Sequence, residues 1–333
     1  MALDFRIGYL AQGAWAPARK LTNADLERLV DTSDEWIRRR TGVRTRRILG
    51  ENESILDMAV KASRNALDRA GLTPEDIDDI RVAVSTWFEI PSLATALQQE
   101  LGAVNASASD TAAGCAGFVY AVEDAWHKIA LEKVQYGRKT HALVVGVDGL
   151  SHITDWSDRG TCVLLGDGAG AVVMGEVETG GILATHTHAD GRYGHLLYSE
   201  RANGYVPPPD TAPSIGKEGP QQLLRMDGRR VFVAAVETMV RDVNRVMEKY
   251  HLATGRTLGV QDVDYVYPHQ ANLRIIEMIA QKLGMPLERV YRDGIARYGN
   301  TSAASIPLGY EDTRDRERPG DGPWIEVDVA FGA

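Results

Sequence analysis

The sequence predicts an α/β protein whose sheets are covered by helices. Segments of helical period alternate with short runs rich in β-branched residues along the whole chain. Its 333 residues suffice for a sizeable core, or for about two domains. The hydrophobic share is 44% and the charged share 25%, as in ordinary globular proteins.

The elements follow in order. Thr22 or Asn23 caps a helix in LTNADLERLV. Ser54 and Asp57 form an acidic variant of the capping box ahead of a helix that stops near Gly71. Within it Ile55, Ala59, Ala62 and Ala66 recur at helical spacing. Further helices are expected over 92–101, 116–130, 229–249 and 271–283. Strands are expected over 81–86, 142–147, 162–165, 170–175, 262–267 and 325–330. Near Glu178-Thr179-Gly180-Gly181 one strand ends and another can begin, which divides the chain into 1–178 and 179–333. The proline- and glycine-rich stretch 203–220 reads as a surface excursion.

Composition excludes several function classes. Asp plus Glu (46) exceed Lys plus Arg (37), a net charge of -9. That disfavours nucleic-acid binding through a diffuse positive field and leaves room for a local basic patch. Two cysteines, Cys115 and Cys162, do not staple a fold. No apolar run reaches the roughly 18 residues of a membrane span. The first twenty residues hold Asp4 and Arg6 and no uninterrupted apolar stretch, so no signal peptide is expected and a cytoplasmic location is.

Three segments carry candidate chemistry. In DTAAGCAGFVYAVEDAW (110–126) glycines flank Cys115 and an apolar helical run follows. A cysteine at a helix start meets unpaired N–H groups and the positive helix end, both of which favour thiolate. The same position suits a buried cysteine that acts as a small hydrophobe, and spacing alone does not separate the two. In DVDYVYPHQANLRIIEMIA (262–280) a strand runs into Pro268 and His269, with a helix expected two or three residues on. That places His269 at a strand's carboxyl end, where ligands of α/β proteins bind, or leaves it a structural histidine. In YGNTSAASIPLGYED (298–312) Asn300 heads a small-residue helix, where its amide can donate into a cavity or simply cap. A cysteine, a histidine and an asparagine far apart in sequence can converge to activate a nucleophile and hold a carbonyl. Papain-like proteases use the same residue types, so the types leave the reaction open.

The strings DTAAGCAGFVYAV, YPHQANLRII and YGNTSAASIP resemble the three active-site blocks of the β-ketoacyl-acyl carrier protein synthase III family, in the thiolase superfamily. The likeness continues in 21–48, 158–173 and 187–197 and spans essentially the whole chain. It implies a thiolase-like five-layer αβαβα fold of two pseudo-twofold-related halves, and a homodimer. The reaction implied is a decarboxylating Claisen condensation of an acyl-CoA primer with malonyl-acyl carrier protein. Cys115 would carry the acyl group, while His269 and Asn300 hold the malonyl thioester carbonyl. No prosthetic group is implied; acyl-CoA is substrate. Trp36 would stack against its adenine region, Arg40 and Arg159 face the nucleotide or its phosphates, and Gly228 and Asn272 line the pantetheine route. Arg274, Arg229 and Arg230 would form a basic patch that docks an acidic carrier protein. His186, His188, Asp190 and His195 mimic metal ligands but match a noncatalytic stretch, and no metal is expected.

Three departures accompany the likeness. The loop STWFEIPSLATALQQ (85–99) is about two residues shorter than its counterparts, which close the partner's acyl pocket. There Ile90 stands where some members have phenylalanine, with Cys162 packed near the same tunnel. A smaller Ile90 leaves room for primers longer than acetyl, at about 0.8 kcal/mol per buried methylene. Glu89 is a solvated carboxylate or, in a non-decarboxylating variant, a base. The sequence ends at IEVDVAFGA, where relatives continue with further glycines and a final strand, so the second half is expected to lack both. Alternatives are a specialised polyketide primer synthase or acyltransferase, and a noncatalytic partner subunit of a ketosynthase complex.

Overall fold

A computed structural model of the protein describes residues 4–199, 223–316 and 324–332. The proline-rich stretch 203–220 lies outside the described residues. In chain order the elements are β1 (Arg6–Trp15), β2 (Lys20–Thr22), α1 (Asn23–Leu26), α2 (Asp34–Thr41), β3 (Thr45–Arg47), α3 (Ile55–Ala70), β4 (Asp79–Ala83), α4 (Leu93–Leu101), β5 (Ser107–Thr111) and α5 (Gly117–Tyr136). There follow β6 (Ala142–Gly149), β7 (Asp167–Val177), β8 (Leu197–Ser199), β9 (Leu224–Met226), α6 (Gly228–Thr254), β10 (Tyr265–Pro268), α7 (Leu273–Leu283), α8 (Gly294–Tyr298), α9 (Ser305–Asp312) and β11 (Glu326–Val329). The Ser54–Asp57 capping box forms as expected, with Asp57 N–H on the Ser54 hydroxyl at 3.0 Å and Gly71 as the left-handed C-cap.

Side chains alternate between the two faces of the strands and build the layers. The main sheet runs β1-β7-β6-β4-β5, with β4 parallel to β5 and β6 and the other pairs antiparallel. On one face Val82, Leu143, Val145, Val147, Ala171 and Val173 pack against α3 and α4. On the other, Val144, Val172 and Met174 meet Phe118 and Ala121 of α5 and Ile306 of α9. Tyr265 and Tyr267 of β10 close that middle layer from beyond. The intervening Val266, with Val329 of β11, turns the opposite way onto α6 and α7. Five layers result: helices, sheet, helices, the parallel β10–β11 pair, helices. With both faces covered, the strands read as continuous apolar runs.

Three expectations need correction. Residues 162–165 form a turn, not a strand: Cys162 N–H bonds Asp158 O at 3.0 Å and Leu164 N–H bonds Thr161 O at 3.0 Å. The apolar run is explained by burial inside a loop, which periodicity cannot tell from a short strand. The helix after His269 begins at Leu273, capped by Asn272, later than expected. No strand forms over 182–190. A cavity of about 800 Å³ is lined by that segment, by α6 residues and by Glu326–Gly332.

Candidate active site

The nucleophile candidate sits on a tight strand-to-helix connection. β5 ends at Thr111, Gly114 adopts a left-handed φ of 54°, and Gly114–Ala116 form a 3-10 turn that feeds α5. An L side chain at Gly114 would be strained, so the glycine lets the chain reverse just before Cys115. Cys115 is partly accessible. The backbone of Gly332 lies across it: a Cβ there would come within 2.6 Å of the amide nitrogens of both Cys115 and Ala116. Only glycine leaves those amides room. Burial pushes the Cys115 thiol up to about 11; a Ser302 hydrogen bond pulls down and the Asp148 charge pushes up. Burial of the thiol thus works against the effect of the helix start.

Asn300 sits where β-bridge and turn meet. Gly299 has φ 76° and ψ -165°, a region essentially restricted to glycine, and a Cβ there would stand 2.7 Å from Leu164 O. Asn300 is then clamped by its own backbone: its N–H donates to Leu164 O at 2.8 Å and its carbonyl accepts from Gly166 N–H at 2.9 Å. Its side-chain Oδ1 accepts from Ser302 N–H at 2.9 Å, which leaves the amide NH2 end directed away from that bond. The Oδ1 bond is therefore compatible with the amide NH2 serving as a donor.

His269 follows β10 and is 2% exposed. Its N–H donates to Val329 O at 2.8 Å, so the β10–β11 register holds the backbone. Burial lowers the imidazole to about 4, which makes it neutral at pH 7. Nδ1 lies 2.7 Å from Ser305 Oγ, and that oxygen also accepts from Gln270 N–H at 3.3 Å. This pairing accommodates the tautomer in which the serine hydroxyl donates to Nδ1 and the ring hydrogen sits on Nε2, a donor for an oxygen. Gln270, 1% exposed, ties the loop down through Pro268 O at 2.8 Å, Tyr291 O at 3.1 Å and Ile295 N–H at 3.2 Å.

The segment 300–305 is the hub. Asn300 lies on it, the Ser302–Ala304 turn packs against the Gly114–Ala116 turn that carries Cys115, and Ser305 reaches His269. Sequence reading missed Ser302, Ser305 and Asp148. The signal for Asp148 is present, a lone carboxylate inside the apolar strand ALVVGVDG.

The other expected residues divide. Arg159 lies over the Trp36 ring, 5.0 Å from its centroid, and its Nη1 donates to Asp31 O at 2.8 Å. Trp36 packs on a cluster that includes Cys162, fully buried, and that Met226 and Leu273 also touch. Gly228 and Asn272 directly neighbour those last elements: Gly228 is exposed as the first residue of α6, and Asn272 Oδ1 accepts from Arg274 N–H at 2.9 Å. Arg40, Arg229, Arg230 and Arg274 are exposed. Ile90 is 98% exposed and is not among the residues that line the cavity of about 800 Å³, with Phe88 beside it at 59% and Glu89 exposed. The loop carrying them is anchored at α4, where Leu93 and Ala94 N–H donate to Asp110 at 2.9 and 2.7 Å.

Comparison with known proteins adds to this geometry. The family model described as 3-oxoacyl-[acyl-carrier-protein (ACP)] synthase III matches residues 109–191, and that of its C-terminal part matches 254–332. The chain is 46% identical over 304 residues to the beta-ketoacyl-[acyl-carrier-protein] synthase III of Thiobacillus denitrificans, covering 91% of this chain and 88% of that protein. It is 43% identical over 327 residues to the protein of that name from Geobacillus kaustophilus, covering 98% and 94%. Among solved structures, 3-oxoacyl-[acyl-carrier-protein] synthase III from Aquifex aeolicus VF5 superposes with a TM-score of 0.83 at 38% identity, over 98% of this chain and 96% of that one. The priming β-ketosynthase of the R1128 polyketide pathway gives 0.83 at 36%, over 100% and 94%.

Proposed function

The chain belongs to the β-ketoacyl-acyl carrier protein synthase III family and has its thiolase-like fold, and from that premise we propose that it condenses an acyl-CoA primer with malonyl-acyl carrier protein. Cys115 takes the acyl group as a thioester and CoA leaves. The malonyl thioester then loses carbon dioxide, and the resulting enolate carbon attacks the Cys115 thioester. The products are β-ketoacyl-carrier protein, carbon dioxide and free CoA, the opening step of fatty-acid synthesis. Decarboxylation supplies the electron pair, so no charged base is required. What is required is a pair of neutral donors for the developing enolate oxygen. His269, neutral with hydrogen on Nε2, and the Asn300 amide suit that role. The observation that carries the reading is the 300–305 hub, which ties both to the neighbourhood of Cys115.

Around this centre, Trp36 and Arg159 would hold adenine and phosphates, Arg40 a further phosphate, and Gly228 and Asn272 the pantetheine arm. Exposed Arg274, Arg229 and Arg230 would receive the acidic carrier protein. The two halves would divide near residue 178, and the molecule would act as a homodimer in which Ile90 and Phe88 reach the partner's acyl pocket.

The test is an intact mass spectrum before and after incubation with short and medium acyl-CoAs. One acyl increment on the protein, absent in Cys115→Ser, is expected. His269→Ala and Asn300→Ala should keep that increment and lose condensation by about a hundredfold or more. Loss of acylation in both would overturn the division of roles. No acylation of the native protein would favour a noncatalytic subunit.

A further inference from the structure

We infer that Arg46, buried between β3 and the 163–166 turn, is the positioning residue that fixes the Asn300 amide for its part in condensation. The inference rests on the donor role proposed above for Asn300.

Arg46 lies on β3 and is fully buried. Its guanidinium is bound by neutral oxygens. Nη2 donates to Val163 O at 2.8 Å and to Asn23 Oδ1 at 2.9 Å, and Nη1 donates to Leu21 O at 3.3 Å. Nε is buried with no hydrogen-bond partner. Burial lowers the group to about 10, so it stays charged at pH 7. Placing a charge out of water on uncharged partners is costly, and an apolar side chain would fill the space better. What the fork adds is direction, because its donors are fixed in one rigid plane. Asn23 is a firm anchor for it. That residue is 2% exposed, and its Nδ2 donates to Asp34 Oδ1 at 2.8 Å and Val43 O at 3.0 Å, which leaves Oδ1 to the arginine.

The Val163 carbonyl leads to the site. One residue on, Leu164 O accepts from Asn300 N–H at 2.8 Å. Gly166 N–H donates to Asn300 O at 2.9 Å, and Leu165 forms an isolated parallel bridge with Asn300. The turn belongs to none of the sheets, so tethers such as Arg46 set its place. The arginine stem also packs on both glycines of this clamp. A Cβ on Gly299 would stand 3.0 Å from Arg46 Cβ, and one on Gly166 3.3 Å from it.

The rest of β3 holds the chain as it approaches Asn300. Arg44 N–H donates to Ala296 O at 3.2 Å, and the Thr45 hydroxyl to Arg297 O at 3.0 Å, both on α8. One short strand thus fixes the segment before Asn300 and, through Arg46, the turn that receives it. Asn300 Oδ1 is bound to Ser302 N–H, so the direction of its NH2 end follows the backbone. A donor aimed at a developing charge loses much of its effect when displaced by about 1 Å.

Arg46→Met keeps the length of the side chain and removes the fork. Arg46→Lys keeps the charge and a donor. Three readouts apply to each: Cys115 acylation at saturating acyl-CoA, kcat for condensation with malonyl-acyl carrier protein, and amide hydrogen exchange. With Arg46→Met acylation should stay within about twofold of native, while kcat falls about tenfold or more. Exchange over 299–302 should quicken by more than exchange in α3. Arg46→Lys should shift all three in the same directions by less. In protein that already carries Asn300→Ala, Arg46→Met should lower kcat no further, because the arginine acts through that amide. A merely structural role would slow acylation and condensation alike and add to Asn300→Ala. Either of those results, or exchange that quickens equally in α3, overturns the inference. Should Arg46→Met fail to fold, Arg46→Lys decides by the same readouts. If Asn300→Ala leaves condensation intact while the arginine variant still quickens exchange over 299–302, the tether stands and the donor role of Asn300 falls.

Discussion

At His269 burial alone decides the protonation state, since no charged group faces the ring strongly enough to shift it. The consequence reaches stability. The folded value of about 4 lies below the ordinary histidine value of 6.5, so between the two the unfolded chain binds more protons. Stability from this group is full above pH 6.5 and is lost as pH falls toward 4. Asp148 works oppositely: its raised carboxyl favours the folded state at low pH and costs stability as pH rises toward 6. Comparing native protein with His269→Asn isolates the first effect. The stability difference between them, from urea unfolding, should shrink by about 2 kcal/mol from pH 7 to pH 4.5. A difference independent of pH would mean that the imidazole is charged or solvated in the folded state. The sequence placed Cys115, His269 and Asn300 in informative strings, but Ser302 and Ser305 were unread letters inside one of them. Their roles depend on how a turn packs and which way a hydroxyl points, and no spacing encodes that.

Among the elements, α2 offers the clearest link to a ligand. Ser33 caps it, its hydroxyl accepting from Trp36 N–H at 3.1 Å, and the ring of Trp36 then receives the Arg159 guanidinium from a distant turn. A flat, cation-backed indole suits an adenine that carries phosphates. Trp36→Ala is expected to raise KM for acyl-CoA about tenfold while kcat changes little, because adenine lies far from the reacting carbon. A fall in kcat at unchanged KM would remove Trp36 from the CoA site. The long helices α3, α5, α6 and α7 were legible from period and caps. β1 and β5 were not. RIGYLAQGAW mixes glycine and polar residues, and SASDT is small and polar, so neither carries a strand pattern. Both are strands because a neighbour in the sheet supplies their hydrogen bonds, β7 for β1 and β4 for β5. The apolar 162–165 made the opposite error, because buried turns are apolar too.

For the whole molecule, the exposed loop is the feature that a single chain leaves unexplained. Ile90 and Phe88 project from a segment that is pinned at its α4 end and lies close to β5, a sheet edge with one partner strand among the described residues. Large apolar side chains so exposed mark an interaction surface. Sedimentation velocity should give twice the single-chain mass, and Ile90→Asp should shift the protein toward the single-chain mass. A native protein that sediments as one chain would remove the partner's acyl pocket from the reading.

Sequence alone determined the α/β class, the long helices, the resemblance and the choice of Cys115, His269 and Asn300 as candidates, because these reside in local period, capping chemistry and short strings. Tertiary structure decided the rest. Five layers arise only when Tyr265 and Tyr267 turn one way and Val266 the other. The neutral His269, the raised thiol of Cys115 and the buried Asp148 exist only once water is excluded, and desolvation is a property of the packed assembly, not of any segment.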